Sequence, residues 1–275
     1  MNYRLVAKYL GHFTFAMSLL MLPSVGWAAA YREWDALRAF VESMAIGGVL
    51  GLALSVVGRK AGARMFQREG LALVGLGWLL SAALGALPFI FAGVLHPIDA
   101  YFESMSGFTT TGSTVLVDID GTAKSVLFWR SFTHWLGGMG IIVLFVAVLP
   151  YMGAGGKQLF KSESPGPDPR GLSPRIKDTA SILWKIYVGL TIVQTAFLMF
   201  AGMDLHDALC HTFGTLATGG FSTRGLSVAH YDNYAVEAII IVFMVIAGSN
   251  FALYFAMLRG RWKAVSYTHL RAHET

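Results

Sequence analysis

The sequence predicts an all-α polytopic membrane protein, and three observations carry that prediction. Of 275 residues, 55% are hydrophobic and 13% charged, where a soluble chain carries about 25% charge. The apolar residues fall in blocks of roughly 20, the length that crosses ~30 Å of hydrocarbon as a helix. Lysine and arginine collect in alternate connections, as cytoplasmic loops require. The net charge of +5 therefore reads as topology, and no nucleic-acid partner is expected. Cys210 is the single cysteine, so no disulfide within the chain is expected and the redox compartment stays open.

Taken in order, the first block is Leu10–Ala30, after Arg4 and Lys8. A basic start and a small-residue end also describe a secretory signal peptide, but an uncleaved helix fits the five blocks that follow. The second block is Ala36–Gly58, after the polar turn Tyr31–Asp35, and a basic loop with Arg59, Lys60, Arg64 and Arg68 comes next. The third is Leu71–Leu95, where Pro88 predicts a kink because it has no N–H to donate. The fourth is Ser125–Pro150, the fifth Ile182–Met203 and the sixth Tyr234–Leu258, followed by Arg259, Arg261 and Lys263. Between the fourth and fifth, the polar loop Tyr151–Ser181 carries Lys157, Lys161, Arg170, Arg175 and Lys177 around the turn-rich stretch SPGPDPRGLSP.

With six spans, the N-terminus, the 59–68 loop, the 157–177 loop and residues 259–263 share one side, predicted to be cytoplasmic. The chain divides into two leading helices (1–70), a first repeat (71–150), a cytoplasmic loop (151–181) and a second repeat (182–265). Residues 266–275, ending in the sequence SYTHLRAHET, continue no pattern and are expected to be an artefactual tail.

Two stretches are too polar to cross a bilayer and too apolar at their start to be plain loops: Asp99–Leu116, DAYFESMSGFTTTGSTVL, and Asp207–Ser222, DALCHTFGTLATGGFS. Asp99 is expected to cap a short helix with Tyr101, Phe102, Met105 and Phe108 on its apolar side. Small hydroxyl residues around a glycine follow at Thr109–Ser113. A half-helix that returns as extended backbone is tolerated in a membrane only where it lines a cavity or packs inside protein. Its carbonyls can then replace the water shell of an ion. Sliding the chain on itself by 107 residues puts Gly107 on Gly214, Thr111 on Thr218 and Gly112 on Gly219, with Asp99 one residue out of register with Asp207. Each unit reads span, pore helix, Thr-Gly turn, span. Four such units surround one pore in potassium channels.

The candidate potassium-binding residues are therefore Thr110, Thr111, Gly112, Ala217, Thr218 and Gly219, offering backbone carbonyls. Glycine at 112 and 219 lets the backbone take positive φ, so that successive carbonyls can face one ion. The carbonyl ends of the two half-helices, each equivalent to about half a negative charge, favour cations. Ser113 and Gly220 adjoin these turns as further candidates for filter support or pore lining. Glu103 either bonds behind the turn and anchors it or is an exposed carboxylate. Asn250 either lines a wet cavity or bonds a neighbouring helix. Gly137, Gly138 and Gly140 are read as close helix packing rather than as a hinge. His134, His206 and His211 do not have the spacing of a zinc site. Neither a nucleotide-binding loop nor a catalytic triad is present. No cofactor, no metal beyond the transported ion and no enzyme activity are expected.

SMSGFTTTGSTVL, HWLGGMGIIVL, GGKQLFKSESPGP and TFGTLATGGFSTRG, in this order, resemble the TrkH-type potassium uptake proteins of the Trk/Ktr/HKT superfamily. The resemblance runs from the N-terminus to about Val265. It implies two leading helices and four span–pore-helix–span repeats, of which this chain carries the leading pair and two repeats. It also implies potassium uptake through a carbonyl-lined filter, as the pore-forming subunit of a Trk-type system in the bacterial inner membrane, N-terminus cytoplasmic. The partners implied are a second copy of the chain and a cytoplasmic TrkA-like nucleotide-binding ring, besides the lipid bilayer. Two other functions stay open: a secondary transporter coupled to sodium or protons, and a non-conducting fragment or assembly subunit.

Overall fold

The computed structural model of the chain describes residues 1–61, 66–148, 176–249 and 254. Among these, every regular element is helical: α1 (Tyr3–Leu19), α2 (Leu22–Tyr31), α3 (Trp34–Val57), α4 (Gln67–Phe91), α5 (Pro97–Phe108), α6 (Lys124–Val148), α7 (Ile176–Phe200), α8 (Leu205–Leu216), a 3-10 turn (Ser227–Tyr231) and α9 (Tyr234–Gly248). Tyr3–Tyr31, Trp34–Val57, Arg68–Phe91 and Ser181–Phe200 are long and apolar enough to cross a membrane. The 25 residues of α6 span about 37 Å at 1.5 Å per residue. The fourth and sixth expected spans, 125–150 and 234–258, run past the described residues, as do Asn250 and the 266–275 stretch.

The first span differs from its sequence pattern. It starts at Tyr3, where the Asn2 side chain accepts from the Leu5 N–H at 3.2 Å, and it breaks at Leu20–Met21. Pro23 has no N–H for the carbonyl of Leu19, so the ladder cannot continue. Met21 turns instead onto Ser18 O at 3.2 Å, and α2 restarts with proline in its first turn. α1 and α3 then pack backbone to backbone. A Cβ on Gly11 would stand 2.5 Å from the Ser55 nitrogen, one on Gly58 2.5 Å from that of Lys8, and one on Gly51 2.8 Å from that of Phe15. Small residues at these positions let two apolar helices approach where no hydrophobic force draws them together.

The start of α5 also differs. His96 occupies the cap position and Asp99 lies inside the first turn, because Pro97, with φ already helical and no N–H to satisfy, takes the first helical position. Pro88 sits in the last turn of α4, and the helix ends three residues later at Phe91.

α6 is the centre of the packing and meets α2, α4, α5, α7 and α8. Trp129 is fully buried, lies edge-on to Phe40 and Phe108, and donates to Gly85 O at 3.0 Å. The N-terminus of α6 is capped from far away in sequence. The Glu33 carboxylate accepts from the Lys124 N–H at 2.7 Å and the Ser125 N–H at 2.9 Å. A carboxylate there satisfies orphan donors and opposes the positive end of the helix dipole.

Candidate functional site

The half-helices α5 and α8 have 12 residues each and end in the same way. In the first, the Thr110 N–H bonds Gly107 O at 3.0 Å and the Thr111 N–H bonds Ser106 O at 2.9 Å. In the second, the Thr218 N–H bonds Thr215 O at 3.0 Å and the Gly219 N–H bonds Gly214 O at 2.9 Å. This pair of bonds is the Schellman ending, which needs a left-handed residue just beyond the helix. Glycine normally fills that position; here both units use threonine, with φ of 55° at Thr110 and 56° at Thr218. A β-branched residue in this conformation is a true outlier, held at a cost of about 1–3 kcal/mol. Two residues on, Gly112 has φ 77° and Gly220 φ 84°.

These angles correct the register read from the sequence. The units superpose at an offset of 108 (218−110, 220−112), not 107. Gly112 therefore corresponds to Gly220, Thr111 to Gly219, and Asp99 falls in register with Asp207, each in the first turn of its helix. Positive φ, expected at Gly219, is found at Gly220. Gly219 is constrained by space instead: a Cβ there would lie 2.5 Å from the His134 ring. At Gly112 both constraints act, because a Cβ would overlap the Gly219 carbonyl oxygen. The two turns thus meet backbone to backbone at Gly112 and Gly219. Thr111, Ser113, Thr218 and Gly220 are exposed, Thr110, Gly112 and Gly219 half-buried, and Ala217 buried.

Glu103 is buried and holds the strand that returns from the first turn. Its carboxylate accepts from the Thr114 hydroxyl at 2.8 Å and the Val115 N–H at 2.9 Å. Arg130, also buried, pairs with it at 2.6 Å. Ser106 adds a bond from its hydroxyl to Ser113 O at 2.6 Å. Of the two readings open for Glu103, the geometry is that of the anchor.

In the second unit the position of Glu103 is filled by His211, whose Nε2 lies 3.1 Å from the Ser222 hydroxyl; Ser222 is the counterpart of Thr114. The carboxylate sits one turn earlier. Asp207 accepts from Thr223 at 2.9 Å, from Tyr231 at 2.7 Å, and from Arg224 Nε and Nη2 at 3.1 and 2.9 Å, with His206 Nδ1 at 3.2 Å. Burial opposes its charge, but the bonds from His206, Tyr231, Arg224 and Thr223 prevail and hold its carboxyl far below the usual carboxylate range. Asp204, His206 and Asp207 lie close enough to hold a metal, yet Nε2 of His206 is already engaged with Lys124 O at 2.9 Å.

The glycine pair of α6 serves both units. A Cβ on Gly137 would overlap Phe108 O, at the end of α5, and one on Gly138 would stand 3.2 Å from Ala217, at the end of α8. Close packing was expected of these glycines; their neighbours are the ends of the two half-helices. His134, one turn earlier, is fully buried and stacks on Phe221 at 3.9 Å. Both its ring nitrogens lack a hydrogen-bond partner among the described residues. A recess of about 750 Å³ opens beside the first return strand, between Glu33, Leu95, Val117 and Asp118, and no candidate filter residue lines it.

The candidate ion-binding residues thus gather at two adjacent turns, with Glu103 behind one of them. Asn250 lies outside the described residues. The sequence reading gave no part in the site to Arg130, His134, Asp207 or Phe221. A charged residue inside an otherwise apolar span, in the second turn of α6, was the available signal for Arg130.

The family model described as TrkH, cation transport protein, matches residues 75–273. The Trk system potassium uptake protein TrkH of Escherichia coli (strain K12) is 42% identical over 264 residues, covering 95% of this chain and 54% of that protein. The Trk system potassium uptake protein TrkG of the same organism is 37% identical, covering 93% and 53%. The crystal structure of the potassium transporter TrkH from Vibrio parahaemolyticus superposes with a TM-score of 0.81 at 37% identity, covering 94% of this chain and 53% of that one. The chain spans about half the length of the curated relatives it matches. It belongs to the TrkH family of cation transport proteins.

Proposed function

We propose that this chain forms part of a pore for potassium uptake, in the membrane component of a Trk-type system. The observation that carries this reading is the doubled turn: two half-helices with the same left-handed threonine and the same left-handed glycine two residues later, meeting at Gly112 and Gly219. Strain at matched positions persists only where the surroundings impose it, and a backbone aimed at an ion is a reason to impose it. Carbonyls of Thr110, Thr111 and Gly112 in the first turn and of their counterparts Thr218, Gly219 and Gly220 in the second replace water around the ion, with Ser113 alongside and Ala217 closing the second half-helix. The membrane potential drives the ion inward at ~2.3 kcal/mol per charge per 100 mV. The names of the relatives, potassium uptake proteins of Trk systems, support the choice of ion.

The same reading sets the chain in a bacterial inner membrane with its N-terminus cytoplasmic, a second copy beside it and a TrkA-like nucleotide-binding ring beneath the basic 157–177 loop. The test is growth. The full-length protein carrying this chain, expressed in a bacterium lacking its own potassium uptake, restores growth at low potassium. Gly112→Ala abolishes that rescue while the protein still reaches the membrane. Failure of the parent to rescue, with protein present in the membrane, or undiminished rescue by Gly112→Ala, overturns the proposal.

A further inference from the structure

We infer that Arg130 is a positioning residue that ties the two turns together, fixes their spacing and so helps set ion choice. The inference rests on the reading of those turns as ion-selecting backbone. Arg130 projects from α6, in the first repeat, yet its guanidinium serves both units. Nε donates to Glu103 Oε1 at 2.6 Å and Nη1 donates to Ser222 O at 3.0 Å. Its Cζ lies 3.6 Å above the ring of Phe221. Glu103 in turn grips Thr114 and Val115. An unbroken polar chain therefore runs from the first return strand, through Glu103 and Arg130, to the second. It joins equivalent places: at the offset of 108, Thr114 corresponds to Ser222. The Arg130–Glu103 link at its centre is dry, with the Arg130 side chain 2% exposed and that of Glu103 0%, so that bond is not exchanged for water. Only a planar fork can hold a carboxylate and a carbonyl at once while stacking on a ring; a lysine ammonium is a single point of charge.

The test compares Arg130→Lys and Glu103→Gln with the parent in the full-length protein, other cysteines replaced. Spin labels go at Val117 and Leu226, which are 97% and 73% exposed and lie just beyond the two tied strands. The parent gives one narrow label–label distance, and both variants broaden it. Competitive uptake then shows the potassium-over-sodium preference falling tenfold or more at normal membrane levels. The double variant is no worse than the worse single one, since both remove the same tie. Should either variant fail to accumulate, Phe221→Leu, which spares the ion pair but removes the ring, moves both readouts the same way by less. An unchanged distance in Arg130→Lys, a broadened distance with parental preference, or losses that multiply in the double variant each overturn the inference. A parent with no preference for potassium sinks the transport reading, while the distances still decide whether Arg130 is the tie.

Discussion

The two pore-loop units share a backbone and differ in what holds it. Both end their half-helix with a left-handed threonine and place a left-handed glycine two residues on. The first is anchored at its second turn by a sealed ion pair, Glu103 with Arg130. The second is anchored at its first turn by Asp207, whose partner Arg224 is 29% exposed. Asp99, the counterpart of Asp207, is half-buried and has no such network among the described residues. The difference teaches that the turn geometry is what the repeat preserves. The means of holding it is local, and depends on where each unit can seal a carboxylate away from water. The second unit also leans on the first, since Ser222, Phe221 and Gly219 all rest against α6.

The largest expected effect separates the two anchors. Glu103→Ala leaves a buried guanidinium without its counter-charge, a loss of about 3–5 kcal/mol. Asp207→Ala leaves Arg224 free to turn to water and should cost about 1–3 kcal/mol. Thermal unfolding of the purified variants in detergent orders them; a greater loss in Asp207→Ala would reverse the comparison. Between the glycines, Gly112→Ala meets both a left-handed φ and the Gly219 carbonyl, whereas Gly220→Ala meets only the φ, with open space around its Cβ. Gly220→Ala should cost about 1–2 kcal/mol and keep measurable uptake, and Gly112→Ala should lose it. Equal losses of uptake would mean that the contact at Gly112 does not matter.

Acid should weaken the second unit by way of Asp207. Its carboxyl is held well below its unfolded value of about 3.9, so its contribution is full above that value and fades as pH falls toward the folded one. The stability gap between the parent and Asp207→Asn, read by thermal unfolding, should therefore hold from pH 7 down to about pH 4 and narrow only below it, and a gap that stays constant well below pH 4 would mean that the charge of Asp207 is not what stabilises. The smallest effect sharpens the likeness. Thr110→Gly and Thr218→Gly each remove left-handed strain but add unfolded-chain entropy, which leaves a gain of about 0.5–1 kcal/mol. The two gains should match within error, and unequal ones would show that the turns are not equivalently strained.

Composition and charge pattern alone determined that the chain is an all-α membrane protein with two half-helices set between spans. Periodicity, block length and Lys/Arg asymmetry are local properties, and the bilayer makes them decisive because backbone groups must be satisfied within the helix. The glycine and threonine letters located both turns. They misplaced the register by one residue, because an offset of 107 pairs Gly107, Thr111 and Gly112 with the identical Gly214, Thr218 and Gly219, whereas φ aligns Thr110 with Thr218 and Gly112 with Gly220. Only the tertiary structure decided that Glu33 caps α6 across 91 residues, that Gly137 and Gly138 face the ends of both half-helices, and that Arg130 reaches the second unit from the first. Each of these depends on the side chain of one helix meeting the backbone of another. Sequence spacing carries no record of such a meeting, because it is fixed by how the helices pack and not by the order of residues along any one of them.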